Sequence, residues 1–153
     1  MAENKTVMLL GSSGNIGVAV AGLLCDQGYK VFAADWNMEV SRKSLCDAGL
    51  AGYVEAGDIF PVVVDAANIS DLSDAINKYD PAMCVSTLPV GVLNFNAAIS
   101  AALSGKDFVC SNFITDEGVQ FLNESVKLLG IDGVDDFAAL LQNRNVSSIW
   151  ECG

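Results

Sequence analysis

Blocks of apolar and polar positions alternate along the chain, and they predict strands and helices in turn. Three short runs, 6–10, 82–86 and 107–110, are almost wholly apolar, which is typical of strands that are covered on both faces of a sheet. Longer stretches between such runs carry apolar residues at helical spacing. This alternation predicts an α/β fold with a parallel sheet and right-handed crossovers.

The pattern places one further strand at the end of the chain, in VSSIWECG, and the others at 6–10, 30–35, 60–65, 82–86 and 107–110. It predicts helices at 15–27, 39–48, from a cap at Ser70 or Asp71 to Tyr79, at 93–103, from Thr115 to near Gly130, and in IDGVDDFAALLQNRN. The glycines between Leu50 and Gly57 leave that stretch unassigned. We therefore predict that residues 1–153 form a single domain, a doubly wound parallel sheet of six to seven strands in a three-layer α/β/α arrangement.

A glycine-rich turn, GSSGNIG, follows the first predicted strand. Gly11 would let the chain reverse off the strand, Gly14 would let the backbone approach a pyrophosphate, and Gly17 would let helix and strand pack closely. The free N–H groups and the positive dipole end of the next helix favour an anion. Asp35 closes the second strand 18 residues after Gly17, as in Rossmann dinucleotide-binding domains. The alternative is an ordinary tight turn between strand and helix.

Ligands of open parallel sheets bind beyond the carboxyl ends of the strands, where the strand order reverses. Asp35 predicts NAD, because a carboxylate accepts hydrogen bonds from ribose hydroxyls and repels the 2′-phosphate of NADP. Arg42 and Lys43 keep NADP open as an alternative. The predicted cofactor-binding residues are Gly11, Ser12, Ser13, Gly14, Asn15, Ile16, Gly17, Asp35, Trp36, Asp65, Ala66, Thr87, Leu88 and Pro89.

Within this set, several side chains have a simpler alternative role. Asp35 could bond only to its own loop backbone. Asp65 and Ala66 would lie near the adenine, and Thr87 to Pro89 would border the nicotinamide ribose, but both segments could equally be plain turns. Trp36 could cover the adenosine or merely the end of the sheet. The sequence leaves these alternatives open.

Composition and charge exclude several classes of function. The net charge of -11 argues against a nucleic-acid partner, no apolar run is long enough to span a bilayer, and the N-terminus lacks the layout of a secretory signal, so we expect a cytoplasmic location. The absence of histidine excludes Ser-His-Asp and Cys-His catalysis. Five cysteines without C-x-x-C spacing predict reduced, structural thiols and no metal site. No residue is predicted to be catalytic.

The order of these motifs resembles the nucleotide-binding domain of the saccharopine dehydrogenase-like oxidoreductases. The resemblance covers residues 5–131, and its most specific part is STLPVGVLNFNAAISAALSGKDFVCSNF. The turn departs from that family's usual G-x-G-x-x-G by one additional residue. The longer spacing also occurs in saccharopine dehydrogenase-like relatives, in extended short-chain dehydrogenases and in dihydrodipicolinate reductases. However, the short-chain dehydrogenases need a Y-x-x-x-K motif and the dihydrodipicolinate reductases histidines, both of which this chain lacks.

The resemblance implies hydride transfer between a nicotinamide and a carbon–nitrogen bond of an amino-acid-like substrate. In that family a substrate-binding domain follows, so we expect this chain to be the N-terminal, cofactor-binding part of a longer two-domain enzyme that turns nothing over alone. An exposed apolar patch near the last strand would then favour a homo-oligomer or receive the missing domain. The alternatives are a stand-alone Rossmann module that senses nucleotide or serves as a subunit, and a turn that binds no nucleotide.

Overall fold

A computed structural model describes residues 4–112 and 115–151 of the chain. The strands are β1 (Thr6–Leu10), β2 (Lys30–Asp35), β3 (Ile59–Val63), β4 (Met83–Ser86), β5 (Asp107–Cys110) and β6 (Ile149–Glu151). The helices are α1 (Asn15–Asp26), α2 (Met38–Asp47), α3 (Ala51–Ala56), α4 (Ile69–Tyr79), α5 (Val92–Leu103), α6 (Asp116–Leu129) and α7 (Phe137–Asn143).

All six described strands form one parallel sheet in the order β3-β2-β1-β4-β5-β6. The order reverses between β1 and β4, so the crossovers wind outwards from the centre in both directions, which confirms the predicted doubly wound sheet. A crevice between the carboxyl ends of β1 and β4 is the usual ligand position in this topology. The glycine-rich turn leaves β1 at that point.

Successive side chains of β1 point to opposite faces of the sheet and build two separate cores. On one face Met8 and Leu10 pack with residues of α4 and α5 and with the fully buried Phe108. On the other face Leu9 packs with buried residues of α1 and α2. Helices α6 and α7 add a further cluster on α5, around the buried Val126 and Leu140. The helices therefore cover both faces of the sheet, as predicted.

The sequence prediction misplaced the start of α4. The cap is Asn68, whose side-chain oxygen accepts a hydrogen bond from the Asp71 N–H at 3.1 Å, and not Ser70 or Asp71. A capping oxygen must lie two or three residues before the N–H that it accepts from. Asp71 instead accepts a hydrogen bond from the N–H of Asp65 at 2.7 Å. Asp65 therefore lies in the loop after β3 rather than in the strand, which ends at Val63.

The stretch that the sequence left unassigned contains α3. Its end is marked by Gly57, which has a φ of 81°, a left-handed conformation that glycine adopts without strain. The predicted last helix and last strand are also present, as α7 and β6.

Asp107 at the start of β5 binds the segment that leads into β6. Its carboxylate accepts hydrogen bonds from the Ser147 N–H and hydroxyl, both at 2.9 Å, and from the Ser148 N–H at 3.0 Å. Burial raises the pKa of Asp107, but the hydrogen bonds from Ser147 and Ser148 outweigh it and hold the pKa below its ordinary value. The charged carboxylate thus fastens the segment that leads into β6.

We expect Asp107→Ala to lower the free energy of unfolding by about 1 kcal/mol at neutral pH. Because the folded-state pKa is lowered, this contribution is present above the unfolded-state pKa and is lost as the pH falls through the folded-state value. The difference between wild type and variant in urea unfolding should therefore shrink on acidification. Asp135→Ala, at an exposed carboxylate, is the control. A difference that persists unchanged in acid would contradict this role.

Candidate functional site

The first glycine of the turn joins β1 to the loop after β4. Gly11 has a φ of 80°, and a Cβ at this position would lie 3.1 Å from Leu88 N and from Thr87 Oγ1. The Thr87 hydroxyl lies 3.0 Å from the carbonyl oxygens of both Leu10 and Gly11, to which it donates hydrogen bonds. The turns that follow β1 and β4 are therefore held together at the point where the strand order reverses.

The other two glycines differ in what surrounds them. A Cβ at Gly17 would lie 2.3 Å from the Gly11 carbonyl oxygen and 2.9 Å from Ser12 Cα, so α1 packs against the turn more closely than any side chain allows. A Cβ at the exposed Gly14 would meet nothing closer than the Gly11 oxygen, at 3.7 Å. The protein's own packing thus requires glycine at position 17 but not at position 14.

The helices that begin beyond the ends of β1 and β4 both lack a side-chain cap. Gly14 caps α1 and Gly91 caps α5, whereas α2, α4, α6 and α7 are each capped by an oxygen of Asn37, Asn68, Thr115 or Asp136. Within the described residues, the N–H groups of 15–17 find no acceptor. The first turn of α1 contains no acidic residue. This helix end presents free donors and a positive dipole end, which suit an anion.

Asp35 lies against the same turn. The carboxylate is 8% exposed, and its Oδ2 accepts hydrogen bonds from the Ser13 N–H at 2.8 Å and from the Ser13 hydroxyl. Its Oδ1 accepts from the Trp36 N–H at 2.8 Å. Asp35 therefore bonds to its own loop, as the simpler alternative held, and also faces the glycine-rich turn. The Trp36 side chain is 69% exposed beside it.

Asp65 and Ala66 lie in a different turn, beyond the edge strand β3. Asp65 is exposed, and its Oδ1 accepts a hydrogen bond from the Ala67 N–H at 2.9 Å, so the carboxylate stabilises its own loop. The Ala66 carbonyl oxygen accepts from Asn96 Nδ2 of α5 at 3.0 Å. These hydrogen bonds stabilise the turn, and the placement of Asp65 and Ala66 near an adenine stays a prediction.

Leu88 and Pro89 follow β4. The Leu88 N–H donates to Ser86 Oγ at 3.3 Å, and its carbonyl oxygen accepts from Asn112 Nδ2 at 2.8 Å, which ties the loops after β4 and β5. Pro89 is exposed. Of the predicted site residues, the structure brings together the turn residues Gly11, Ser12, Ser13, Gly14, Asn15, Ile16 and Gly17 with Asp35, Thr87 and Leu88.

The helix after β4 contains two polar side chains whose placement the sequence analysis missed. Asn94 and Asn96 are 1% and 6% exposed, and Asn96 links α5 to the turn after β3. The sequence pattern predicts this segment only as a helix, at 93–103. The signal available in the sequence is two amides within one turn of a largely apolar helix, because buried amides need partners.

The two cations that could select NADP lie on the surface of α2. Lys43 Nζ pairs with Asp47 at 2.6 Å on the same helix, and both side chains are largely exposed. Arg42 is exposed as well. The carboxylate of Asp35, by contrast, lies at the turn itself.

The buried thiols show no features of reactive groups. Burial raises the pKa of Cys25 to about 11, with nearby Asp58 and Asp26 contributing, and burial raises the pKa of Cys84 to about 12. Both therefore stay protonated at neutral pH and are poor nucleophiles and metal ligands. Cys110 is also buried and Cys46 is exposed; all four are free thiols. Cys152 lies outside the described residues.

An apolar cavity of about 340 Å³ lies between α6, α7 and β6. Among the described lining residues, Asp136 is the titratable one, and its carboxylate already caps α7 by accepting from the Ala139 N–H at 2.8 Å. The described lining of this cavity therefore contributes no free reactive group, and the turn beside Asp35 remains the candidate site. Among the helices described here, none is long and apolar enough to cross a membrane.

No protein-family model and no curated protein sequence matches the chain. Solved structures do. Saccharopine dehydrogenase (L-Glu forming) from Saccharomyces cerevisiae superposes with a TM-score of 0.61 and 22% identity, over 80% of this chain and 25% of that protein. The yeast methylglyoxal/isovaleraldehyde reductase in complex with NADPH gives a TM-score of 0.56 and 18% identity, over 70% of this chain and 37% of the reductase.

UDP-glucose 4-epimerase from Brucella ovis, solved with NAD, gives a TM-score of 0.54 and 16% identity, over 71% of this chain and 35% of the epimerase. The chain thus spans between a quarter and two fifths of the length of these three proteins. At these identities the similarity establishes the fold, which is Rossmann-like. It agrees with the resemblance to saccharopine dehydrogenase-like enzymes that the sequence motifs suggested.

Proposed function

We propose that this Rossmann-like chain is the NAD-binding domain of a saccharopine dehydrogenase-like oxidoreductase. One observation carries the proposal: Gly14, which the protein's own packing does not require, lies at the uncapped N-terminus of α1, in the same turn whose Ser13 is bonded to Asp35. A pyrophosphate would accept from the N–H groups of 15–17. The adenosine ribose would then lie at Asp35.

The similar structures support a nicotinamide dinucleotide as the ligand, since the reductase was solved with NADPH and the epimerase with NAD. Thr87 and Leu88, which lie beside Gly11 of the turn, would border the nicotinamide ribose. A bound nicotinamide would supply hydride transfer. The residues of this chain would hold the cofactor and orient it, and we assign no general acid or base among them.

An amino-acid-type carbon–nitrogen bond is the proposed substrate class. Support comes from the motif STLPVGVLNFNAAISAALSGKDFVCSNF and from the superposition on saccharopine dehydrogenase (L-Glu forming). Since the chain covers 25% of that enzyme, the substrate would be held by a domain that this chain does not contain. We therefore propose that the chain alone binds cofactor without turnover.

Calorimetric titration of the purified chain with NADH and, separately, with NADPH tests the proposal. We expect binding of both, with NADH bound more tightly. The exposed Trp36 gives an independent fluorescence signal for the same titration. Binding of neither nucleotide would contradict the proposal and leave the glycine-rich turn with a structural role alone.

We expect Asp35→Ala to weaken NADH binding about fivefold to tenfold, because hydrogen bonds from ribose hydroxyls to a charged carboxylate are lost. NADPH serves as the internal control. Its affinity should hold or rise, since removal of the carboxylate also removes a charge that repels the 2′-phosphate. Equal losses for both nucleotides would show instead that the substitution damages the turn, and circular dichroism would detect such a change.

A further inference from the structure

We infer that the Ser13 hydroxyl is a specificity-determining group that competes with the adenosine ribose for Asp35. It thereby weakens the preference for NADH over NADPH. This inference rests on the proposed function and extends it to a residue that acts through Asp35 rather than on the cofactor chemistry.

The hydrogen bonds of Asp35 carry the inference. An ionised carboxylate accepts about four hydrogen bonds, two at each oxygen. Here Oδ2 already accepts two, from the Ser13 N–H at 2.8 Å and from the Ser13 hydroxyl, and Oδ1 accepts one, from the Trp36 N–H at 2.8 Å. Among the described residues, one acceptor position of the carboxylate, on Oδ1, therefore has no donor.

A ribose diol offers two O–H donors. To bond both of them, Asp35 must release one of its present partners. The Ser13 and Trp36 N–H groups belong to the backbone, and their positions are set by the turn and by the end of β2. The Ser13 hydroxyl turns about a single bond, so it is the partner that NADH would displace. Each NADH molecule that binds would then break this charge-assisted hydrogen bond.

NADPH meets a different arrangement. Its 2′-phosphate is an acceptor and makes no hydrogen bond to the carboxylate. A free acceptor position on Oδ2 would therefore not increase the affinity for NADPH. The Ser13 hydroxyl, only one rotation away from Asp35, could donate to that phosphate instead. Ser13 therefore disfavours NADH and is neutral or favourable towards NADPH.

The test is titration of Ser13→Ala with NADH and with NADPH. We expect NADH to bind about three to ten times more tightly than to wild type, the size of one net hydrogen bond. NADPH affinity should stay the same or fall. Ser13→Thr, which keeps a hydroxyl at the same position, should retain the wild-type ratio. In an Asp35→Ala background, Ser13→Ala should leave NADH affinity unchanged, because the residue acts through Asp35.

A serine outside the predicted site provides the control. Ser41 of α2 is 1% exposed, and among the described residues its hydroxyl makes no hydrogen bond, so Ser41→Ala removes a buried serine hydroxyl without removing a bond to Asp35. Its ratio of NADH to NADPH affinity should equal that of wild type. A wild-type ratio in Ser13→Ala, or equal losses for both nucleotides, would overturn the inference while leaving the proposed function intact. If the wild-type chain binds neither nucleotide, the proposed function and this inference are both contradicted.

Discussion

Replacing Gly17 with alanine is expected to lower the free energy of unfolding by about 2–4 kcal/mol, the largest loss of stability that we predict for a single methyl group. The added Cβ would lie 2.3 Å from the Gly11 carbonyl oxygen and 2.9 Å from Ser12 Cα. Both are backbone atoms, so no side chain can rotate away. Helix α1 would have to move off the turn, and the buried contacts of Ala21 and Cys25 would move with it.

Urea unfolding monitored by circular dichroism measures this loss. The free energy of unfolding should depend on urea concentration with the same slope in both proteins. Gly22→Ala is the control, because Gly22 lies in the same helix and a Cβ there would meet only the flexible end of Leu50, at 3.3 Å. Alanine also has the higher helix propensity, so this control should be neutral or stabilising by up to about 1 kcal/mol. Similar losses for both variants would show that the clash at Gly17 is relieved easily.

Replacing Gly14 with alanine should have the opposite profile, a retained fold with weakened cofactor binding. Gly14 has extended backbone angles, with a φ of -76°, and a Cβ there would meet nothing within the protein closer than 3.7 Å. Its position at the start of α1 is where a pyrophosphate would approach the backbone. We expect about tenfold to hundredfold weaker binding of NADH and NADPH alike, since charge-assisted hydrogen bonds to the shared pyrophosphate lengthen.

Calorimetry with both nucleotides measures this effect, and the unfolding midpoint of Gly14→Ala shows whether the fold is intact. The loss of a glycine cap should cost less than about 1 kcal/mol. Comparison with Asp35→Ala separates the pyrophosphate part of the site from the ribose part. Gly14→Ala should weaken the binding of both nucleotides, whereas Asp35→Ala should weaken the binding of NADH. Wild-type affinity in Gly14→Ala would mean that no ligand approaches this edge of the turn.

Much of the framework could be predicted from the chain's local pattern. The bounds predicted for β1, β2 and β5 agree with the structure to the residue, because each strand is a short apolar run between polar or glycine-containing turns. The doubly wound topology followed from the alternation of such runs with helical segments. The position of Gly11, Gly14 and Gly17 at the carboxyl edge followed from their place between a strand and a helix.

The structure had to decide between alternatives that local pattern describes equally well. Asp35 and Asp65 each stand at the end of a predicted apolar strand, yet Asp35 bonds to Ser13, 22 residues away, while Asp65 bonds to Ala67, two residues on. The predicted cap of α4, Ser70 or Asp71, was wrong, because the oxygen that accepts the Asp71 N–H belongs to Asn68. Each of these outcomes depends on which polar group lies within hydrogen-bond distance.

The sequence by itself determined the order of the elements and the kind of turn at the ligand edge, because periodicity and glycine placement act within a few residues along the chain. Only the tertiary structure decided that the Thr87 hydroxyl donates a hydrogen bond to Gly11, 76 residues away, and that the Ser13 hydroxyl donates one to Asp35. It also showed that nearby backbone atoms leave no room for a side chain at position 17, whereas position 14 has room for one. Such contacts are fixed by the register of β1 against β2 and β4, which brings distant turns to one edge of the sheet.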